Sequence, residues 1–220
     1  MDAAASYVRR YSLDKILSED LLRMLTPVER APGELIIRAG DAVRELLFLV
    51  EGRAKAYITM ENGESHLASF FKPIEVFGEV ELFAFDRYNL NVEALTETVC
   101  LSVPVTAIKK APERNWRLFI YLCGRLGTKL EARNVAGSIN VRYPVVNRLA
   151  SYLLAAGGEK GLVLGTDDLG EIANFLGTSY RQLARVVRRF REAGILARTR
   201  GRIRVLDRSK LVALARDRYD

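Results

Sequence analysis

The chain has 220 residues, 49% hydrophobic and 28% charged, with a formal net charge of +7; this supports one large folded core or two small ones. No apolar run approaches the roughly 18 residues of a membrane-spanning helix, and residues 1–10 lack the apolar centre of a secretory signal, so the cytoplasm is the expected compartment. Two cysteines, Cys100 and Cys123, and one histidine, His66, exclude a disulfide framework, a four-thiolate cluster, a zinc hydrolase site and Ser-His-Asp chemistry.

A short helix is expected near residues 18–25. From about Ala31 to Val105 the chain reads as short strands punctuated by Pro32-Gly33, Gly40-Asp41, Glu51-Gly52, Asn62-Gly63 and Phe77-Gly78, the rhythm of a β-sandwich or roll. The run Leu46-Leu47-Phe48-Leu49-Val50 reads as one strand. Asn62-Gly63, between Ala56-Tyr57-Ile58-Thr59 and His66-Leu67-Ala68-Ser69-Phe70, marks a hairpin, because both turn residues tolerate positive φ. At Pro112 the pattern changes. Proline suits the first turn of a helix, and Trp116, Phe119, Cys123, Leu126 and Leu130 then recur at spacings of 3, 4, 3 and 4. That is the seam of two packed helices, although an amphipathic helix lying on its own domain fits the same spacing. Gly124 and Gly127 weaken a lone helix but allow a partner to approach closely. A second helix opens at Tyr143-Pro144, carries Val145, Val146, Leu149, Tyr152, Leu153 and Ala156 on one face, and ends at Gly157-Gly158.

Residues 168–205 carry the function. Asp168-Leu169-Gly170-Glu171 and Ser179-Tyr180-Arg181-Gln182 both read as capping boxes, where the third helical residue reaches back to the cap. Gly177 between them permits a tight turn. Leu183, Val186, Val187 and Phe190 recur at helical spacing as a buried face, and Gly194 closes that helix. Two helices around a short glycine turn form a helix-turn-helix. Tyr180, Arg181, Arg185, Arg188 and Arg189 remain for the exposed face. Arg181 and Arg185 share the leading turns and are expected to grip bases in the major groove, with Gln182 beside them. Ser179 is expected to position the backbone. Arg188 and Arg189 lie deeper, toward phosphate or solvent. Segments 195–199 and 202–206 around Arg200-Gly201 read as a two-stranded wing, placing Arg200 and Arg202 beside the sugar-phosphate backbone. Residues 138–220 hold 16 basic and 8 acidic residues, while the remainder holds 18 and 19. All the excess positive charge therefore lies in this last third, pointing to double-stranded DNA as partner.

Taken in order, Gly40-Asp41, Leu46-Leu47-Phe48-Leu49-Val50-Glu51-Gly52, Phe77-Gly78-Glu79 and Leu176-Gly177-Thr178-Ser179-Tyr180-Arg181 make the chain resemble the Crp/Fnr family of bacterial transcription regulators. The resemblance covers nearly its whole length. Pro144-Val145-Val146-Asn147-Arg148-Leu149-Ala150 and Ser179-Tyr180-Arg181 are most similar to the YeiL-type branch. The resemblance implies an α+β chain with three parts: an N-terminal β jelly-roll effector domain like a cyclic-nucleotide-binding domain (1–111), a long dimerisation helix (112–137), and a C-terminal winged helix-turn-helix (138–220). It also implies a homodimer on a palindromic operator, acting as activator or repressor, with RNA polymerase as partner of an activator, and no catalytic residues.

Departures from the family pattern set further expectations. Members that bind cyclic AMP carry a Gly-Glu pair, matched by Gly78-Glu79, and further on an Arg-Ser or Arg-Thr pair that grips the cyclic phosphate. Tyr88-Asn89 stand in that place here, with Arg87 one residue out of register. A phosphate buried without its guanidinium loses its main charge partner, so the effector is expected to be something other than cyclic AMP. Gly78, Glu79, Tyr88 and Asn89 are the candidate pocket residues, and the plainer role for Glu79 is to cap or bridge strands. Iron–sulfur members need four cysteines. Haem-sensing members use a histidine ligand, whereas His66 follows a hairpin turn as a surface residue; neither cofactor nor any metal is expected. The cyclic-AMP branch resembles Arg-Glu-Thr-Val-Gly-Arg where this chain has Tyr180-Arg181-Gln182-Leu183-Ala184-Arg185. Only the last Arg is retained, and Arg181 replaces the residue that would accept from a cytosine amino group, so a different half-site is expected.

Overall fold

The computed structural model describes residues 3–60, 65–157, 163–165, 169–199 and 202–215. The chain divides into two compact units, residues 1–58 with 68–129, and residues 59–67 with 130–220. Among the described residues no helix is long and apolar enough to cross a membrane.

The first unit opens with helices α1 (Ala3–Tyr11) and α2 (Glu19–Arg23). Strands β1 (Thr26–Arg30), β2 (Leu35–Ile37), β3 (Glu45–Glu51), β4 (Ala54–Thr59), β5 (Ser65–Phe71) and β6 (Glu75–Phe77) follow. Helix α3 (Glu79–Ala84), β7 (Asn91–Ala94), β8 (Thr98–Pro104) and α4 (Val105–Lys110) complete the roll. Two four-stranded sheets form, ordered β1-β8-β3-β6 and β2-β7-β4-β5, and the fold is the expected jelly-roll. Strand β3 shows why the apolar run at its centre is needed. Leu46, Phe48 and Val50 face a core with Leu13, Leu21, Leu101 and Leu118, while Leu47 and Leu49 face a second core with Ile36, Ala56, Phe77 and Val92. Successive strand side chains point to opposite faces, so a strand covered on both sides must be apolar throughout. Each such side chain contributes about 1.5–3 kcal/mol. The Asn62-Gly63 turn lies outside the described residues, but the strands on either side of it, β4 and β5, are sheet neighbours as expected. The helix expected near residues 18–25 is α2; α1, α3 and α4 are additions.

Pro112 opens a 3-10 turn (Pro112–Arg114) rather than the long helix itself. Helix α5 begins at Trp116 and runs to Arg142, beyond the expected end at residue 137. Buried Asn115 sets the start, donating to the Ile108 carbonyl at 3.1 Å and accepting from the Ser18 hydroxyl at 2.9 Å. A single glycine such as Gly137 costs about 1 kcal/mol and does not stop a helix, whereas Pro144 steers the residue before it out of helical geometry. The two readings of α5 apply to different faces. Leu118 and Leu122 are 0% exposed in the roll's core. Trp116, Ile120 and Leu130 are 54%, 64% and 64% exposed, Cys123 is exposed, and Phe119 and Leu126 are half-buried.

The second unit contains α6 (Val145–Gly157), β9 (Val163–Gly165), α7 (Leu169–Phe175), α8 (Tyr180–Glu192), β10 (Leu196–Thr199), β11 (Arg202–Val205) and α9 (Arg208–Leu214). Val145, Leu149, Tyr152 and Leu153 of α6 are buried as expected and Val146 is half-buried; the side chain of Ala156 lies outside the described residues. The two expected wing strands, β10 and β11, pair antiparallel, and β9 joins β11 as an unanticipated third strand of that sheet. Helix α9, also unanticipated, buries Leu211 fully and ties to α6 where Asn147 donates to the Leu214 carbonyl at 2.7 Å.

Candidate nucleic-acid interface

Helix α7 ends where Gly177 takes φ 58°. That left-handed geometry lets the Gly177 amide reach the Asn174 carbonyl (3.0 Å) and the Thr178 amide reach the Ala173 carbonyl (2.9 Å), the paired bonds of a Schellman ending. A buried cation braces the same turn. Arg148 of α6, 8% exposed, donates from Nη1 to the carbonyl of Leu176 and, at 3.5 Å, to that of Gly177. These carbonyls are left over by the helix end. The Arg148 Nε is buried without a partner among the described residues. Sequence periodicity could have flagged Arg148, since it stands at i+3 from Val145 and i−4 from Tyr152, a charge on an apolar face.

Ser179 caps α8, its hydroxyl accepting from the Gln182 amide at 3.3 Å. The expected capping box is only half formed, because the Gln182 side-chain oxygen accepts from the Thr178 hydroxyl at 2.9 Å. The nearby hydroxyl competes successfully for that oxygen. The other expected box begins at Asp168, outside the described residues. Leu183, Val186, Val187 and Phe190 are all buried, which turns Tyr180, Arg181, Gln182, Arg185, Arg188 and Arg189 outward. Tyr180, Arg181, Ala184, Arg185 and Arg188 line one open cleft. Arg188 also pairs with Glu192 at 3.7 Å, while Arg181 and Arg185 crowd the helix's positive N-terminal end. The result is an exposed, cationic helix face of the kind that enters the phosphate-lined major groove. In the wing, Arg204 is exposed and the Arg202 backbone pairs with Thr199 and Gly165. Arg200, Gly201 and the Arg202 side chain lie outside the described residues.

In the roll, each candidate effector residue is engaged by the chain itself. Gly78 caps α3 at φ 91°, and a Cβ there would stand 3.0 Å from the Glu45 carbonyl and 3.4 Å from the Tyr88 ring. The Tyr88 hydroxyl donates to that carbonyl at 2.7 Å, and burial pushes its pKa up to about 12. The Asn89 amide donates to Glu81 at 3.3 Å. Arg87 donates to the Gly40 carbonyl at 2.6 Å. Glu79, 2% exposed, pairs with Lys129 of α5 at 2.5 Å; it bridges to a helix rather than between strands. Cys100 is buried, its thiol pushed up to about 12 by desolvation. His66 is on β5, with its side chain outside the described residues. Among the described residues no group of three or more His, Cys, Asp or Glu is placed to hold a metal ion.

The family described as cyclic nucleotide-binding domain matches residues 27–115, and the Crp-like helix-turn-helix domain matches residues 147–214. Regulatory protein YeiL of Escherichia coli O157:H7 is 31% identical over 182 residues, spanning 83% of this chain and 82% of that protein. Transcriptional activator protein anr of Pseudomonas aeruginosa is 21% identical over 204 residues, spanning 90% and 82%. Among solved structures, a CRP-family transcriptional regulator from Thermus thermophilus superposes with a TM-score of 0.68 at 21% identity, covering 88% of this chain and 98% of its own. FixK2 from Bradyrhizobium japonicum does so with a TM-score of 0.65 at 19% identity, again over 88% and 98%.

Proposed function

The chain belongs to the Crp/Fnr family of transcription regulators, DNA-binding proteins rather than enzymes, and from that premise we propose that it works in the cytoplasm as a homodimer on a palindromic operator. The observation that carries this reading is α8, capped at Ser179, buried on its Leu183–Phe190 face, and presenting Arg181 and Arg185 together on the other. Arg181 and Arg185 read base edges, with Tyr180 and Gln182 beside them. Ser179, Arg200 and Arg202 hold the sugar-phosphate backbone and fix the register. The outer face of α5, Trp116 to Leu130, meets its own copy across a two-fold axis. The functional division is roll (1–111), dimerisation helix (112–137) and winged helix-turn-helix (138–220).

Control of this dimer is assigned to something other than cyclic AMP or an iron–sulfur cluster. Supporting this, Tyr88 is committed to the Glu45 carbonyl where a phosphate would need a guanidinium. An activator of this architecture would also meet RNA polymerase. The test is selection of bound fragments from a random DNA pool by the purified chain. Enrichment of an inverted repeat supports the reading; enrichment of a single asymmetric motif, or of none, opposes it.

A further inference from the structure

The ammonium of Lys129 is surrounded in a manner unlike an ordinary ion pair. It donates to the Val76 carbonyl at 2.7 Å and to Glu79 Oε1 at 2.5 Å, and stands 3.3 Å from Glu75 Oε1. An ammonium has three donors and no acceptor; two are spent in the hydrogen bonds to Val76 and Glu79, and Glu75 adds an ion pair. The rings of Phe71 and Phe77 lie 5.3 and 5.8 Å away, within cation–π range, and stand edge to face with each other at 5.1 Å. The side chains of Glu79 and Glu75 are 3% and 10% exposed and that of Lys129 24%. Arg125, one turn earlier on α5, donates to the other oxygen of Glu75 at 2.7 Å and so fixes that carboxylate. The turn at Gly78 lets one short segment, Glu75 to Glu79, aim two carboxylates, a carbonyl and a ring at a single point. This is the same segment that carries the Gly78-Glu79 pair.

We propose that the Glu75–Glu79 segment, with Phe71, is a binding site for a primary ammonium group, filled in cis by Lys129 as a ligand tethered to α5. Two desolvated carboxylates need a cation beside them, and the chain supplies its own where a regulator with a diffusible effector would await a small molecule. Helix α5 is continuous from Trp116 to Arg142, so the tethered amine fixes the helix that carries the seam. The DNA-binding state is then set without an added ligand, a consequence that rests on the dimeric-regulator reading above.

The experiment uses the full chain and Lys129→Ala, with n-propylammonium as probe because it restores the atoms removed. The melting temperature of Lys129→Ala should fall and recover with millimolar n-propylammonium. Tetramethylammonium, which has no N–H, and neutral propanol should fail, and wild type should not respond. Adding Glu79→Gln to Lys129→Ala should abolish the recovery. Equal responses of wild type and variant, or equal effects of propanol and propylammonium, would overturn the site. Should Lys129→Ala not fold, wild type still decides: an amine-acylating ester should label Lys129 more slowly than exposed Lys109 and Lys110, and labelling at their rate refutes the cage. These readouts involve no DNA and therefore fail separately from the regulator reading. In a DNA arm, Lys129→Ala should lose about tenfold or more in operator affinity and regain it with n-propylammonium. Unchanged affinity in a variant that shows the melting response would overturn the coupling to DNA.

Discussion

Two leucines on α5 separate the face that builds the roll from the face proposed to pair. Leu122 is 0% exposed, so Leu122→Ala leaves a cavity and should lower the stability of the fold by about 2–5 kcal/mol. Leu130 is 64% exposed, and Leu130→Asp removes little that a single chain has buried. Covering that exposed fraction in a dimer is worth about 1–2 kcal/mol per leucine. Two-fold symmetry counts it twice, giving about 2–4 kcal/mol, or a dimer weakened about 30- to 1000-fold. Sedimentation across a range of concentrations reads the dimer; denaturant unfolding reads the fold. Leu130→Asp should sediment as a monomer where wild type is a dimer, and its melting should lose dependence on protein concentration. Leu126→Asp should do the same with some added cost to the fold, since Leu126 is half-buried. A Leu130→Asp protein that sediments like wild type, beside a Leu122→Ala protein that dissociates, would place the interface away from the outer face of α5.

Arg185→Ala should cost about 1–3 kcal/mol of operator affinity and relax preference at one base position, whereas Arg202→Ala should weaken all sequences alike and flatten the salt dependence; binding titrations on matched and mutated sites at several salt concentrations check both. Arg148→Met should destabilise the second unit by about 1–3 kcal/mol, the cost of leaving the Leu176 carbonyl buried and unpaired, and reduce specific more than non-specific DNA affinity; unchanged unfolding would refute the brace. Calorimetric titration with cyclic AMP should give no heat and no rise in melting temperature, and micromolar binding would contradict the role given to Tyr88. Burial raises the Glu79 pKa above its ordinary value by more than Lys129 lowers it; a carboxyl raised in the folded state stabilises fully below its unfolded pKa, and that contribution is lost as pH rises through the folded one. Unfolding measured across that window should show the decline in wild type and a flatter profile in Glu79→Gln.

Much of this was legible where the signal is local. Leu183, Val186, Val187 and Phe190 announce the buried face of α8 by spacing alone, and the run at Leu46–Val50 declares a strand covered on both sides. Helix α5 shows the limit of that method: Leu118 and Leu122, which seat it on the roll, interleave with the proposed seam at the same period, so spacing cannot say which face is already covered. Helix α9 buries only Leu211 fully, too little for a periodic pattern, and β9 has three residues. The cluster at Lys129 joins residues some fifty positions apart, and no sequence interval encodes a contact that the folding of two sheets creates. Arg148 was visible as a charge on an apolar face, but its partners are backbone carbonyls, which a sequence does not display.

In the proposed complex two copies of α8 enter DNA together. Hydroxyl-radical footprinting of the wild-type protein on its selected operator tests it most directly. Two protected patches, symmetric about a dyad and one helical turn (about 34–36 Å) apart on one face of the duplex, are predicted. A single protected patch, or two without a dyad between them, would contradict paired entry of α8.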